Sequence, residues 1–128
     1  MKELGIRKNF LAIEKEYSNY KDSEIVIVSA PLEKTVSYGK GTGKGPQEIL
    51  EASHYVEFYD EEQKRELCFE KGICTLEPLN LQKLSIEKSL DKSYKEVASH
   101  IDAGKFTVTL GGEHSLSTAP IMAHYERF

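Results

Sequence analysis

The chain has no apolar run approaching the roughly 20 residues needed to span a bilayer. Its first residues, Met1-Lys-Glu-Leu-Gly, lack the apolar core of a signal peptide. Cysteine is scarce. Cys68 and Cys74 stand alone, in a spacing that matches no zinc pattern and builds no disulfide framework. Positive charge is in deficit, with a net charge of −4. Phosphate backbones are bound by basic surfaces, so nucleic acid is not an expected partner. These absences leave the expectation of a reduced, cytoplasmic protein with no membrane partner.

What is present has a globular balance, 39% hydrophobic and 30% charged over 128 residues. One domain is the default at this length, with roughly two-thirds of the unfolded surface buried on folding. A Gly- and Lys-rich segment, Thr35-Val-Ser-Tyr-Gly-Lys-Gly-Thr-Gly-Lys-Gly-Pro46, invites a nucleotide-loop reading, and the spacing refuses it. Only three residues separate Gly39 from Gly43-Lys44, and Gly45 stands where a phosphate loop needs Ser or Thr. The dinucleotide pattern fails too, since Lys44 and Pro46 occupy the positions of its third glycine. The segment follows a strand and is expected to be a surface loop, with residues 36–44 on the rim of a pocket.

The chain is organised around Phe106-Thr-Val-Thr-Leu-Gly-Gly-Glu-His-Ser115. Phe106 to Leu110 has the β-branched and aromatic composition of a buried strand, with Gly104 stopping the helix before it. Gly111 and Gly112 then permit a sharp turn and close approach to a ligand. Glu113, His114 and Ser115 follow where a strand ends and a helix begins, the crevice in which open α/β sheets bind ligands. A histidine there is ordinarily a polar helix-capping residue. It can also offer a neutral ring nitrogen to a metal.

The other elements follow from periodicity. Residues 1–20 read as a short helix or a loosely packed arm. Ile25-Val-Ile-Val28 reads as a strand buried on both faces and ended by Ser29-Ala-Pro31. Pro46 opens a short helix, Gln47 to Ala52, with Ile49 and Leu50 towards the sheet. Tyr55 to Tyr59 alternates like a half-buried strand, and Asp60 to Glu66 reads as a solvated loop or a turn of helix. Gly72 to Leu76 is a further short strand, with Cys74 as a small core residue. Ser85 to Ala103 predicts a long helix whose apolar face is Ile86, Leu90, Tyr94, Val97 and Ile101. His100 and Asp102 then fall at its solvated end, and a last helix runs from Ser117 to about Arg127. His54 and His124 have no second ligand at a diagnostic spacing.

Gly111-Gly-Glu-His-Ser115 resembles the Gly-Gly-Asp/Glu-His-Ser motif of the ureohydrolases, the arginase and agmatinase family. Ser29-Ala-Pro-Leu-Glu33, Val36-Ser-Tyr-Gly39, Gly45-Pro46 and Ile49-Leu-Glu-Ala-Ser53 are similar, in matching order, to the agmatinase-type N-terminal pattern. The resemblance runs from about residue 24 onward. It implies an α/β fold, a three-layer α-β-α sandwich on a parallel sheet, of which residues 1–128 form the N-terminal portion of a single domain. It implies a binuclear manganese centre that activates water against a guanidinium carbon, releasing urea and an amine. The small-molecule guanidino substrate would be agmatine, ahead of arginine or guanidinobutyrate, and the protein would be a homo-oligomer, a trimer or hexamer. His114 would ligate one Mn²⁺. The family's other ligands lie in Asp-Ala-His-x-Asp and Asp-x-Asp segments, and this chain has neither. Its aspartates, Asp22, Asp60, Asp91 and Asp102, are never two apart. Glu113 stands where the family often has Asp. One histidine cannot hold a metal pair, so these residues alone are expected to be inactive. The competing expectation is a non-catalytic truncated module that folds or binds a partner.

Overall fold

The structure, a computed structural model, describes residues 2–35 and 39–128. Val36, Ser37 and Tyr38, which carry part of the agmatinase-like pattern and of the expected pocket rim, lie outside the described residues. In chain order the elements are α1 (Lys15–Ser18), β1 (Ile25–Ala30), α2 (Gly45–Ser53), α3 (Leu67–Lys71), β2 (Ile73–Thr75), α4 (Ile86–Asp102), β3 (Phe106–Gly111) and α5 (Thr118–Tyr125). The three strands are parallel, in the order β2-β1-β3, with Ile25 beside both Ile73 and Phe106 and Ala30 beside Gly111.

The β-branched run makes β1 the central strand, and its alternation splits the core in two. Ile27 packs with Leu11, Ile13, Leu50 of α2 and Cys68 of α3. Val26 and Val28, pointing the other way, pack with Cys74 and Leu76. Further along that second face, Ala30 joins Leu81 and Leu116, with Ile86 and Leu90 of α4 against them. Helices therefore cover both faces, and the expected three-layer α-β-α arrangement on a parallel sheet is present. The connection from β1 to β2 crosses one face, and that from β2 to β3 crosses the other. Reversing both direction and face keeps each crossover right-handed. Among the described residues no helix is long and apolar enough to cross a membrane.

Ser85 caps α4 as its sequence suggests, its hydroxyl accepting from the Lys88 amide at 3.2 Å. Gly104 ends the turn after it with φ +77°, in the left-handed region. β1 runs two residues beyond Val28, because Ser29 and Ala30 pair with Leu110 and Gly111.

Several expectations need correction. β3 is not a buried strand. Phe106 is 69% exposed and the rest of β3 is half-buried, because only β1 pairs with it among the described residues. Tyr55 to Tyr59 forms no strand, and Tyr55 is 91% exposed. Turn bonds continue from α2, with the Tyr55 and Val56 amides donating to Ala52 and Ser53, so the alternation meets no neighbouring strand. Leu50 of α2 is buried as expected, but Ile49 is exposed. The N-terminal segment is no loose arm. It contains a short helix, as one reading had it, and Leu11 and Ile13 enter the core. Asn9 is fully buried and fastens the segment, with its side chain donating to the Ile13 carbonyl and accepting from the Ile13 amide.

The buried residues of α4 are Ser89, Ser93, Val97, Ala98 and His100, so that of the apolar stripe read from the sequence Val97 is fully buried and Ile86, Leu90, Tyr94 and Ile101 flank it. His100 is therefore not solvated. It is 3% exposed, with Nδ1 2.8 Å from the Tyr20 hydroxyl and Nε2 3.1 Å from the Glu96 carboxylate. The segment leading into β1 folds under the sheet and covers it, which spacing along the helix cannot reveal. Asp102 is exposed as expected, and pairs with Arg127 at 2.6 Å.

Candidate functional site

The carboxyl ends of β1 and β3 lie side by side. The chain leaves β1 over one face of the sheet, whereas β3 is reached over the other. Open parallel sheets bind ligands where strand order reverses in this way. The two exits are stitched together, with the Glu113 amide donating to the Leu32 carbonyl at 2.8 Å.

The glycines serve this junction. A Cβ on Gly112 would lie 2.5 Å from the Leu32 oxygen and 2.6 Å from the Leu32 nitrogen. A Cβ on Gly111 would lie 2.6 Å from Leu116 Cδ2. Neither glycine has a left-handed φ. The expectation that they make room for a ligand is thus corrected, because Leu116 fills the space at Gly111 and the exit of β1 fills that at Gly112.

Glu113 is buried, and its carboxylate is turned into the loop leaving β1. It accepts from the amides of Lys34 and Thr35 and from the Thr35 hydroxyl, with the Thr35 amide 3.0 and 3.1 Å from its two oxygens. Burial alone would raise its pKa. The Thr35 hydroxyl and the Lys34 and Thr35 amides outweigh that and hold it at about 2. Ser115 also favours the charged form, although its buried hydroxyl oxygen makes no geometrically sound hydrogen bond among the described residues.

A folded-state pKa below the unfolded one adds stability that is complete above about pH 4.5 and is lost as pH falls towards about 2. Denaturant midpoints of the wild type and Glu113→Gln are therefore expected to differ most near neutrality and to converge through that window. A pH-independent difference would remove the carboxylate charge from the account.

His114 begins the 3₁₀ turn His114–Ser117, directly after β3. Its side chain is exposed, and neither ring nitrogen has a hydrogen-bond partner among the described residues. The other histidines are engaged as ordinary structural residues. His54 Nε2 lies 2.9 Å from the Asn9 carbonyl, and His124 Nδ1 lies 2.7 Å from that of Pro120. Cys74 is buried in the core and its thiol is pushed up to about 12 by burial, which suits packing and not nucleophilic chemistry.

The described end of the Gly- and Lys-rich segment is tied to Glu33, whose carboxylate accepts from the Gly41 and Gly43 amides. Gly43 and Lys44 join Glu33, Lys34, Asn80 and Gln82 around a cavity of about 620 Å³. This cavity lies above β1 and β2, one strand away from His114, and of the expected rim residues 36–44 it is Gly43 and Lys44 that line it. Lys34 and Thr35 were missed as partners of the motif. Most of their bonds to Glu113 come from backbone amides, which any residue but proline supplies.

The donor set falls short of a manganese pair. Among the described residues, no three His, Cys, Asp or Glu side chains gather closely enough to hold an ion. His114 provides one imidazole, and among the described residues no second ligand stands beside it. These residues by themselves do not fit a metal pair, and no reaction step is derived through one.

The model of the arginase family matches residues 23–128. The chain is 38% identical over 120 residues to an N(1)-aminopropylagmatine ureohydrolase of Synechocystis sp., covering 91% of this chain and 39% of that protein. It is 38% identical over 107 residues to an agmatinase of Bacillus anthracis, covering 80% of this chain and 35% of that protein. The crystal structure of agmatine ureohydrolase of Thermoplasma volcanium superposes with a TM-score of 0.76 at 25% identity, over 83% of this chain and 36% of that one. The chain thus spans under two-fifths of the length of each of these proteins. The match over residues 23–128 includes the exits of β1 and β3 and the Gly-Gly-Glu-His-Ser turn, and the chain belongs to the arginase family.

Proposed function

We propose that these residues form the N-terminal portion of a manganese-dependent amidinohydrolase domain that splits a guanidino compound into urea and an amine. The observation that carries the reading is His114, an exposed side chain directly after the carboxyl end of β3, which lies beside the carboxyl end of β1. When bound, a manganese pair would supply water activated at neutral pH. The residues of this chain would contribute one ligand, His114, and a rigid junction beneath it. The remaining ligands would come from outside residues 1–128. The reading includes a cytoplasmic, homo-oligomeric enzyme of polyamine metabolism. Agmatine and N(1)-aminopropylagmatine are its two leading substrates, since relatives named for both are equally similar in identity.

The test is urea release from each compound with added Mn²⁺, by residues 1–128 and by the full chain. The expected result is urea from the full chain and none from residues 1–128. Absence of Mn²⁺-dependent urea with either substrate in the full chain would favour a non-catalytic module. Urea from residues 1–128 alone would mean that they already hold a working centre.

A further inference from the structure

We infer that Glu113 is a positioning residue that holds the His114 imidazole in place by tying its turn to the loop leaving β1. His114 follows Glu113 directly in the chain, so the point from which its side chain starts is fixed by the bonds of that residue. On one side, Gly112 lies against the backbone of Leu32 and Ala30 with no room for a side chain. On the other, Leu116 is buried and its amide donates to the Glu113 carbonyl at 3.1 Å. Between them, the backbone and the side chain of Glu113 reach to the exit of β1 or along the turn. Its amide meets Leu32, its carbonyl meets Leu116, and its carboxylate gathers Lys34 and Thr35.

The carboxylate is suited to this because it only accepts, and every group facing it donates. A glutamine amide would set an N–H group against N–H donors. An aspartate would keep the charge but fall one carbon short of Thr35. The same loop carries Glu33 and Lys34 to the wall of the neighbouring cavity. The clamp therefore makes His114 and that wall one rigid unit, so a group seated in the cavity would be registered against the imidazole. The inference rests on the metal-ligand reading of His114 for its functional meaning, but the clamp itself can be read without metal.

The experiment uses the full chain with Glu113→Gln, Glu113→Asp and Thr35→Val. In the metal-free protein, Glu113→Gln is expected to shift the His114 imidazole resonances and to lower Thr35 amide protection at least about tenfold, leaving the His54 and His124 resonances in place. Glu113→Asp should restore part of both. A purely structural role would lower the denaturation midpoint without moving the His114 signal. Titration with Mn²⁺ alone should then show affinity weakened at least about tenfold in Glu113→Gln. Unchanged His114 resonances and Thr35 protection overturn the inference, whatever the metal does. A shifted resonance in Glu113→Gln, together with no Mn²⁺ binding by the wild type, supports the clamp and overturns the metal-ligand reading instead. Should Glu113→Gln not fold, Thr35→Val removes the hydroxyl donor alone and is judged by the same two signals, in the same direction and smaller.

Discussion

Gly112→Ala is expected to destabilise the fold by about 3 kcal/mol or more, the upper range for forcing extra volume into a packed interior. That is a large share of the ~5–15 kcal/mol that holds a typical domain together. The new Cβ would stand 2.5 Å from the Leu32 oxygen, 2.6 Å from its nitrogen and 3.0 Å from the Ala30 oxygen. All three are backbone atoms at the exit of the central strand, which β2 and β3 clamp from both sides. They cannot rotate aside as a side chain can. Gly111→Ala supplies the control. Its Cβ meets Leu116 Cδ2 at 2.6 Å, and the next Leu116 atom is 3.8 Å away, so a change of rotamer relieves much of the clash. A loss of about 1–2 kcal/mol is expected there. Denaturant midpoints of the two variants check the contrast. A Gly112→Ala midpoint equal to or above that of Gly111→Ala would show that the exit of β1 yields, and that the junction is not rigid.

His114→Ala has the opposite profile. The side chain is exposed and makes no hydrogen bond among the described residues, so stability should change by no more than about 0.5 kcal/mol. In the full chain the same substitution should weaken Mn²⁺ binding at least about 100-fold. Loss of a mere outer partner of a ligand already costs about 10–100-fold, and His114 is proposed as the ligand itself. Urea release should fall with it. Metal content after dialysis and urea production, measured beside the denaturation midpoint, separate the alternatives. Unchanged metal content and activity would make His114 an ordinary turn residue and sink the assignment. A large loss of stability would place the imidazole in packing that the structure does not show.

The elements that were legible share one property, a pattern complete within a few residues. Ile25-Val-Ile-Val28 announces a doubly buried strand because four β-branched or apolar residues in succession suit nothing else so well. Ser85 announces a helix start because its hydroxyl bonds an amide three residues on. Gly111-Gly-Glu-His-Ser115 announced the family and the place of His114. The readings that failed needed knowledge of what lies opposite. Tyr55 to Tyr59 alternates correctly but has no strand to pair with. Phe106 to Leu110 is a strand, but its burial depends on how many neighbours it has. His100 looked like a helix-end group until the Tyr20 segment was seen to cover it.

The sequence by itself determined the central strand, the long helix before β3 and the family. These follow from local steric preference and from a motif that is contiguous in the chain. Tertiary structure alone decided what the motif rests on. The bonds of Glu113 to Lys34 and Thr35 join residues 79 and 78 apart in sequence. The space denied to Gly112 is taken by a backbone oxygen and a backbone nitrogen of Leu32. Backbone groups are the same at nearly every residue and leave no mark in composition or spacing. Which of them meet is settled only when the sheet brings the ends of β1 and β3 together.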